Sequence, residues 1–238
     1  MGRVFEKRKH VMFARFAKMA KTFTRIGKEI HMAVKKGGPN PDDNPRLRLV
    51  IQNAKAVNMP KTNIDSAIQR AVSKDKKDYE EVIYEGYGPH GIAIFIETAT
   101  DNPTRTVANV RLAFSKCGGT LGKTGSLEFI FDRKGIFEIE LGKRNLEELE
   151  FELIDFGVEE IEEVEGKAYI YVAFNDFGKM QKALEDMHIP VISAEKERFA
   201  NTTVDLNPEQ QAEVMKLVER LEEDDDVQAV YHNMTMGE

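Results

Sequence analysis

The sequence predicts an α+β multidomain protein. An N-terminal three-helix domain is followed by two small α+β domains of ferredoxin-like character, the last inserted in the middle one. Three observations carry this. Apolar residues recur at steps of three and four over the first 73 positions, and strand-like segments then alternate with helices. Between 135 and 200 the alternation reads β-α-β-β-α-β, the ferredoxin-like order. A final helix and strand follow with no local partner, so the last strand is expected to return to the middle domain. The expected units are 1–77, 78–134 plus 201–238, and 135–200.

The first helix is expected over 12–36. Phe13, Phe16, Ala20, Phe23, Gly27, Ile30 and Val34 share one stripe, and Arg15, Lys18, Lys21, Arg25, Lys28 and Lys35 lie opposite. Gly37-Gly38-Pro39 ends it. Asn44-Pro45 supplies an N-cap and a first-turn proline for a second helix carrying Leu47, Val50, Ile51, Ala54 and Val57. Met59-Pro60 breaks that helix. A third runs to about Ser73, and residues 74–77 read as a hinge.

Strands are expected at 82–88, 91–98 and 126–131, with a helix from Asn102-Pro103 to Lys116 between the second and third. In the inserted unit, strands are expected at 135–141, 158–164, 167–173 and 191–198, with helices at 146–156 and 176–185. Asn207 caps a last helix, 208–222, which leads into a strand at 227–231.

Composition narrows the function. The chain has 238 residues, 41% hydrophobic and 32% charged, as in a soluble globular protein. No apolar run approaches the roughly 20 residues that span a bilayer. The charged start, Met1 to Lys9, lacks the apolar core of a secretory signal. The single cysteine, Cys117, forms no internal disulfide and reads as a semi-buried residue at a helix end. The net charge of −7 hides a partition: residues 1–77 hold 19 Lys and Arg against 6 Asp and Glu, and the remainder holds 15 against 35. A segment at +13 joined to one at −20 reads as a polyanion-binding arm on an acidic body. The plainer alternative is that the two parts attract each other.

Two phosphate-loop lookalikes fail on context. Gly86-Tyr87-Gly88-Pro89-His90-Gly91 has the dinucleotide-loop spacing but precedes the strand-like Ile92 to Ile96, so it reads as a hairpin turn. Gly118-Gly119-Thr120-Leu121-Gly122-Lys123-Thr124 is one residue short of a nucleoside triphosphate loop and also leads into a strand-like stretch. It reads as a connector or as a loop approaching RNA or another backbone. The five histidines have no metal-binding spacing, and no nucleophile sits with a paired base. The acidic runs 159–165 and 222–226 read as solvated faces rather than metal sites. The reading assigns no catalytic residue, cofactor, metal, small-molecule substrate or membrane partner.

The candidate nucleic-acid-binding residues are Arg3, Lys7, Arg8, Lys9, Arg15, Lys18, Lys21, Arg25, Lys28, Lys35, Arg46, Arg48, Lys55, Lys61 and Arg70. Each could neutralise a phosphate. No clear recognition helix is visible, so backbone or shape recognition is expected.

Ordered motifs then resemble one family. They are Thr22 to Ile30 with Lys36-Gly37-Gly38, Asn44 to Arg48 with Asn58 to Lys61, Tyr84 to Gly91, Thr100 to Thr106, Gly118 to Gly122 with Gly125-Ser126, Phe131 to Gly135, and Asp225 to Gln228. Together they are similar to the YebC family. The resemblance implies a three-domain cytoplasmic protein with a helical N-terminal domain, described as a probable DNA-binding transcriptional regulator. Its mitochondrial translational activators point instead to ribosomes and relief of stalled translation. The family's usual opening, Gly-His-Ser-Lys-Trp, is replaced here by Gly2-Arg3-Val4-Phe5-Glu6. The motifs place candidate functional loops at Tyr84, Gly86, Tyr87, Gly88, Asp101, Asn102, Arg105, Gly118, Gly119, Gly122 and Lys123. The expected function is a non-enzymatic nucleic-acid-binding regulator. The alternatives are a ribosome-associated translation factor on ribosomal RNA and a protein–protein adaptor working through the acidic body.

Overall fold

The computed structural model describes residues 19–73 and 78–235. Three helices come first: α1 (Met19–Gly37), α2 (Pro45–Ala56) and α3 (Lys61–Val72). The predicted 12–36 helix is described from Met19 onward; Phe13, Phe16 and Arg15 lie outside the described residues. Ile26, Ile30, Ala33 and Val34 of α1 pack on Leu47, Val50 and Ala54 of α2 and on Ile64, Ala67 and Ala71 of α3. Asn44 ties the first two helices. Its Oδ1 accepts from the Leu47 N–H at 3.0 Å, while its Nδ2 donates to the carbonyls of Ala33 and Gly38 at 2.8 Å each.

The central layer contains β1 (Glu80–Tyr87), β2 (Ala93–Thr100), α4 (Pro103–Lys116) and β3 (Thr120–Leu121). The inserted unit follows as β4 (Phe131–Glu140), α5 (Leu146–Leu153), β5 (Val158–Val164), β6 (Lys167–Ala173), α6 (Phe177–Asp186) and β7 (Val191–Ala200). The chain then returns through α7 (Pro208–Glu222) and β8 (Val227–His232). The two antiparallel sheets have orders β3-β1-β2-β8 and β5-β6-β4-β7. The second order is ferredoxin-like, and residues 131–200 complete it before β8 returns to pair with β2.

Both faces of β2 are buried, which explains its unbroken apolar run. Ile94 and Ile96, with Ile92 just before the strand, pack under α4 and α7 against Phe114, Leu217 and Leu221. Ala93 and Phe95 face Leu127, Phe131 and Ala200 instead. At the far edge, β1 and β3 approach closely at Gly86. A Cβ there would lie 2.6 Å from the Thr120 carbonyl oxygen and 2.8 Å from the Phe114 ring.

Two local expectations are corrected. The stretch 126–131 is not a strand: a 3-10 turn, Glu128–Ile130, occupies it, and β4 starts at Phe131. The cause is the buried carboxylate of Glu85, which accepts the N–H groups of Gly125 at 2.6 Å and Leu127 at 2.5 Å. Those donors are thereby withheld from any strand ladder. The strand β4 begins four residues before the expected position 135, because Phe131 to Lys134 pair with Glu197 to Ala200. The two-residue β3 was not anticipated; it is too short to show periodicity.

The third correction concerns α1. Its cations were expected to face away from the protein, yet Lys21, Arg25 and Lys28 point into the central layer. Lys21 Nζ donates to the Glu222 carbonyl at the end of α7 (3.2 Å), where a cation complements the helix dipole. Arg25 Nε donates to the Val227 carbonyl at 3.1 Å. Lys28 is buried, and its ammonium donates to the carbonyls of Ala99 (2.9 Å) and Asp225 (2.8 Å) and to Asp226 Oδ1 (2.8 Å). The Tyr79 ring lies 5.0 Å from the same nitrogen.

Asp226 is the centre of this junction. Its Oδ2 accepts from Arg105 at 2.6 Å and from the hydroxyls of Thr106 (2.8 Å) and Thr100 (3.1 Å). Burial raises its pKa, but the bonds from Arg105, Lys28 and Thr106 outweigh that and hold it at about 2. The acidic run 222–226 is therefore not simply a solvated face, since it supplies a buried counter-ion.

This packing makes single substitutions unequal. Gly86→Ala lowers stability by about 1–3 kcal/mol through overpacking. Gly27→Ala, where an added Cβ meets nothing within 4 Å, is neutral or stabilising by up to about 1 kcal/mol. Urea unfolding of both variants checks the contrast. Asp226→Asn strands the buried Lys28 charge and costs about 3 kcal/mol. Because the folded pKa of Asp226 lies below the ordinary 3.8, its stabilisation is complete above about pH 4 and lost as pH falls toward 2. Unfolding titrations should show a steeper fall in that window for the wild type than for Asp226→Asn.

Candidate nucleic-acid interface

The helical domain offers its exposed cations from α2, α3 and the end of α1. Asn44-Pro45 starts α2, which projects Arg46, Arg48 and Lys55 outward while Leu47, Val50 and Ala54 turn inward. Arg46 pairs with Glu81 at 2.6 Å, and Arg48 donates to the carbonyls of Pro41 and Asp42, both at 3.2 Å. Lys35, in the last turn of α1, pairs with Asp78 at 3.1 Å; the bond holds the Asp78 carboxyl below its usual range. Lys36, Lys55, Lys61 and Arg70 are exposed, and no ion pair joins them to another described residue.

The outer face of α3 adds neutral donors and acceptors. Asn63, Ser66, Gln69, Arg70 and Ser73 line an open depression there. Arg70 Nε donates to the Ser66 carbonyl at 3.1 Å, and its guanidinium has further donors to offer. The sequence reading named only Lys61 and Arg70 on this helix. The polar residues at steps of three and four carried the missed signal, but an exposed helix face has the same spacing with or without a ligand.

Of the fifteen cations proposed from sequence, Arg3, Lys7, Arg8, Lys9, Arg15 and Lys18 lie outside the described residues. Lys21, Arg25 and Lys28 are engaged inside the molecule. The other six, Lys35, Arg46, Arg48, Lys55, Lys61 and Arg70, stand at the surface.

The candidate loops divide in the same way. Asp101, Asn102 and Arg105 belong to the Asp226 junction rather than to an open loop. Asn102 caps α4 by accepting the Arg105 N–H at 3.1 Å, and Arg105 also pairs with Asp101 at 2.9 Å. Tyr84 is buried, with its hydroxyl 3.4 Å from the Pro103 carbonyl, and burial pushes its pKa up. Gly86 and Gly119 serve close packing around Phe114. Gly88 lies beside Leu217 in the turn between β1 and β2, which places a strand after the dinucleotide-like motif. Tyr87, Gly118, Gly122 and Lys123 remain exposed at one edge of the central sheet. There the Gly122 N–H donates to the Glu85 carbonyl at 2.7 Å, and the Glu85 side chain holds the next turn. This loop is exposed yet braced. The residue that braces it, Glu85, was not singled out from sequence, because one glutamate in a strand carries no sign of burial.

No cluster of histidine, cysteine or carboxylate side chains suited to a metal occurs among the described residues. None of the described helices is long and apolar enough to cross a membrane.

Known proteins share this architecture. Residues 3–74 match the family model described as the TACO1/YebC protein N-terminal domain, and residues 79–234 match the TACO1/YebC second and third domain. A "Probable transcriptional regulatory protein" of Cytophaga hutchinsonii is 60% identical over 238 residues, covering all of both chains. One of the same description from Parabacteroides distasonis is 55% identical over 98% of this chain and 97% of its own. The crystal structure of a conserved hypothetical protein from Aquifex aeolicus superposes with a TM-score of 0.77 at 38% identity, covering 93% of this chain and 94% of that one. With both family models matched in order and relatives aligned end to end, the chain belongs to the TACO1/YebC family.

Proposed function

We propose that the chain is a non-enzymatic regulatory protein that binds nucleic acid through the exposed basic face of its helical domain, as a DNA-binding transcriptional regulator. The observation that carries this is the charge partition after internal pairing is subtracted. Lys21, Arg25 and Lys28 are engaged with the central layer, yet Lys36, Lys55, Lys61 and Arg70 stay exposed, the last two on α3, whose outer face is rich in donors. The names of the relatives, probable transcriptional regulatory proteins, support a regulatory rather than an enzymatic role. An exposed cationic helix face favours phosphate-backbone contacts, so affinity is expected to exceed sequence specificity.

A second reading has its own support. The braced, exposed loop around Gly118 to Gly125 suits insertion into a ribosomal RNA site, with the helical domain as anchor. A preorganised loop avoids the ordering cost that a flexible one meets on docking.

One titration series separates these readings. Labelled DNA duplex and structured RNA are titrated at several salt concentrations, and binding is expected to weaken linearly on a log–log plot. The combined variant Lys55→Glu, Lys61→Glu, Arg70→Glu keeps its fold, since all three side chains are exposed, and loses at least about tenfold in affinity. Absence of binding to either polymer at low salt overturns the nucleic-acid proposal. Co-sedimentation with ribosomes that the triple variant loses supports the second reading.

A further inference from the structure

A second cationic cluster lies where the helical domain meets the inserted domain. The residues Arg133 on β4 and Lys196 on β7 reach the same aromatic surface. The Arg133 guanidinium carbon sits 3.9 Å from the centroid of the Phe174 ring, and Lys196 Nζ lies 5.3 Å from that ring and 4.5 Å from that of Phe177. Gly135, which pairs with Lys196 in the sheet, makes this possible. A Cβ at Gly135 would lie 2.5 Å from the Phe177 ring, so the missing side chain lets that ring lie flat beneath the lysine. Side chains alternate along β4, so Asp132 and Lys134 belong to its other face, where Lys134 pairs with Glu159 at 2.8 Å.

Arg46 reaches the cluster from α2. Its Nη2 binds Glu81 at 2.6 Å, and the guanidinium has further donors to offer. The seam itself is fixed. The Asn53 amide brackets Ala194 on β7, accepting its N–H at 2.9 Å and donating to its carbonyl at 2.8 Å, and Gln52 donates to the Val191 carbonyl. Arg46 and Lys36 from the helical domain and Arg133 from β4 thus act on one carboxylate, Glu81, which in turn acts on Lys196. Lys196 is exposed, and no ion pair joins Arg133 or Lys196 to another described residue. Burial of its stem, with Arg133 and Arg46 nearby, pushes the Lys196 ammonium below the usual lysine range. Cations gathered on aromatic rings with a deficit of acids repel one another until an anion arrives.

We propose that Arg46, Arg133 and Lys196 form a phosphodiester-binding site, so that a nucleic-acid strand held by the helical domain continues onto the inserted domain. The site rests on the nucleic-acid reading above and extends its footprint beyond the first 77 residues. An arginine fork with a neighbouring lysine suits the oxygens of one phosphate group. Its ring platform holds both side chains extended before binding, which lowers the ordering cost.

The test uses the full chain with labelled single-stranded RNA of mixed sequence and a DNA duplex. The variant Arg133→Gln, Lys196→Met keeps long stems on the rings and removes both charges. It is expected to weaken binding about tenfold or more and to make the log–log salt slope shallower by about 1.4 on single strands and about 1.8 on duplex. Whichever polymer shows the change identifies the strand that reaches this site. In the wild type, the bound polymer should protect Lys196 from acetylation while leaving Lys143, beyond the opposite end of β4, reactive. That footprint decides the matter even if the double variant folds poorly. If the wild type binds and the Lys55, Lys61, Arg70 variant is weakened, but the double variant is unchanged and Lys196 unprotected, the site is overturned and the function stands. If the wild type binds neither polymer, both proposals fail together.

Discussion

The contact between the Lys28 ammonium and the Asp226 carboxylate sets the relation of the helical domain to the rest of the molecule. Its two charges are nearly dry, and each has other partners: two carbonyls for the lysine, an arginine and two hydroxyls for the aspartate. A buried pair adds little net stability by itself, but it is severe on alternatives, because any arrangement that parts the charges leaves both unsatisfied. The junction therefore selects one docking geometry. That geometry fixes which cations of α1 are engaged internally and which surfaces of α2 and α3 stay open. It also brings α2 against the edge of β7, where Gln52 and Asn53 occupy backbone groups that an edge strand leaves open.

Charge segregation thus has two structural outcomes in one chain. Attraction between the halves has its structural counterpart in the contact of Lys28 with Asp226, and the surface proposed to bind a polyanion stays open. The inner cations of α1 answer the C-terminal acidic run, whereas the outer cations of α2 and α3 meet solvent. Net charge by segment could not divide them, since formal charge carries no direction.

Much of the fold was legible in local signals. Asn44, Asn102 and Asn207 each precede a proline, and each caps the helix expected there. The bounds of β5 and β6, Val158–Val164 and Lys167–Ala173, are those expected from the sequence. What escaped reading depended on partners distant in sequence. The stretch after Gly125 has strand-like composition, but its amides answer Glu85, 40 residues earlier. Lys28 reads as one more cation on a polar helix face until the carboxylate 198 residues away is placed beside it. The candidate site was legible in kind, as an exposed basic helical surface, but not in its limits. The neutral side chains of α3 and the brace on the 118–125 loop needed coordinates, because exposure and burial there are tertiary properties.

The late return of β8 governs the order in which the chain can assemble. The helical core is complete once α3 has been made, and the second sheet once β7 has been made. The central sheet must wait for β8, its outer strand beside β2. Asp226 immediately precedes that strand, so Lys28 has no counter-ion until the chain is almost finished. During vectorial synthesis the two flanking units can close early, while β2 keeps an open edge and the helical domain lacks its contact with Asp226. Final docking thus depends on the whole polypeptide: a chain truncated before β8 would keep the seam between α2 and β7 but leave the Lys28 charge without its carboxylate.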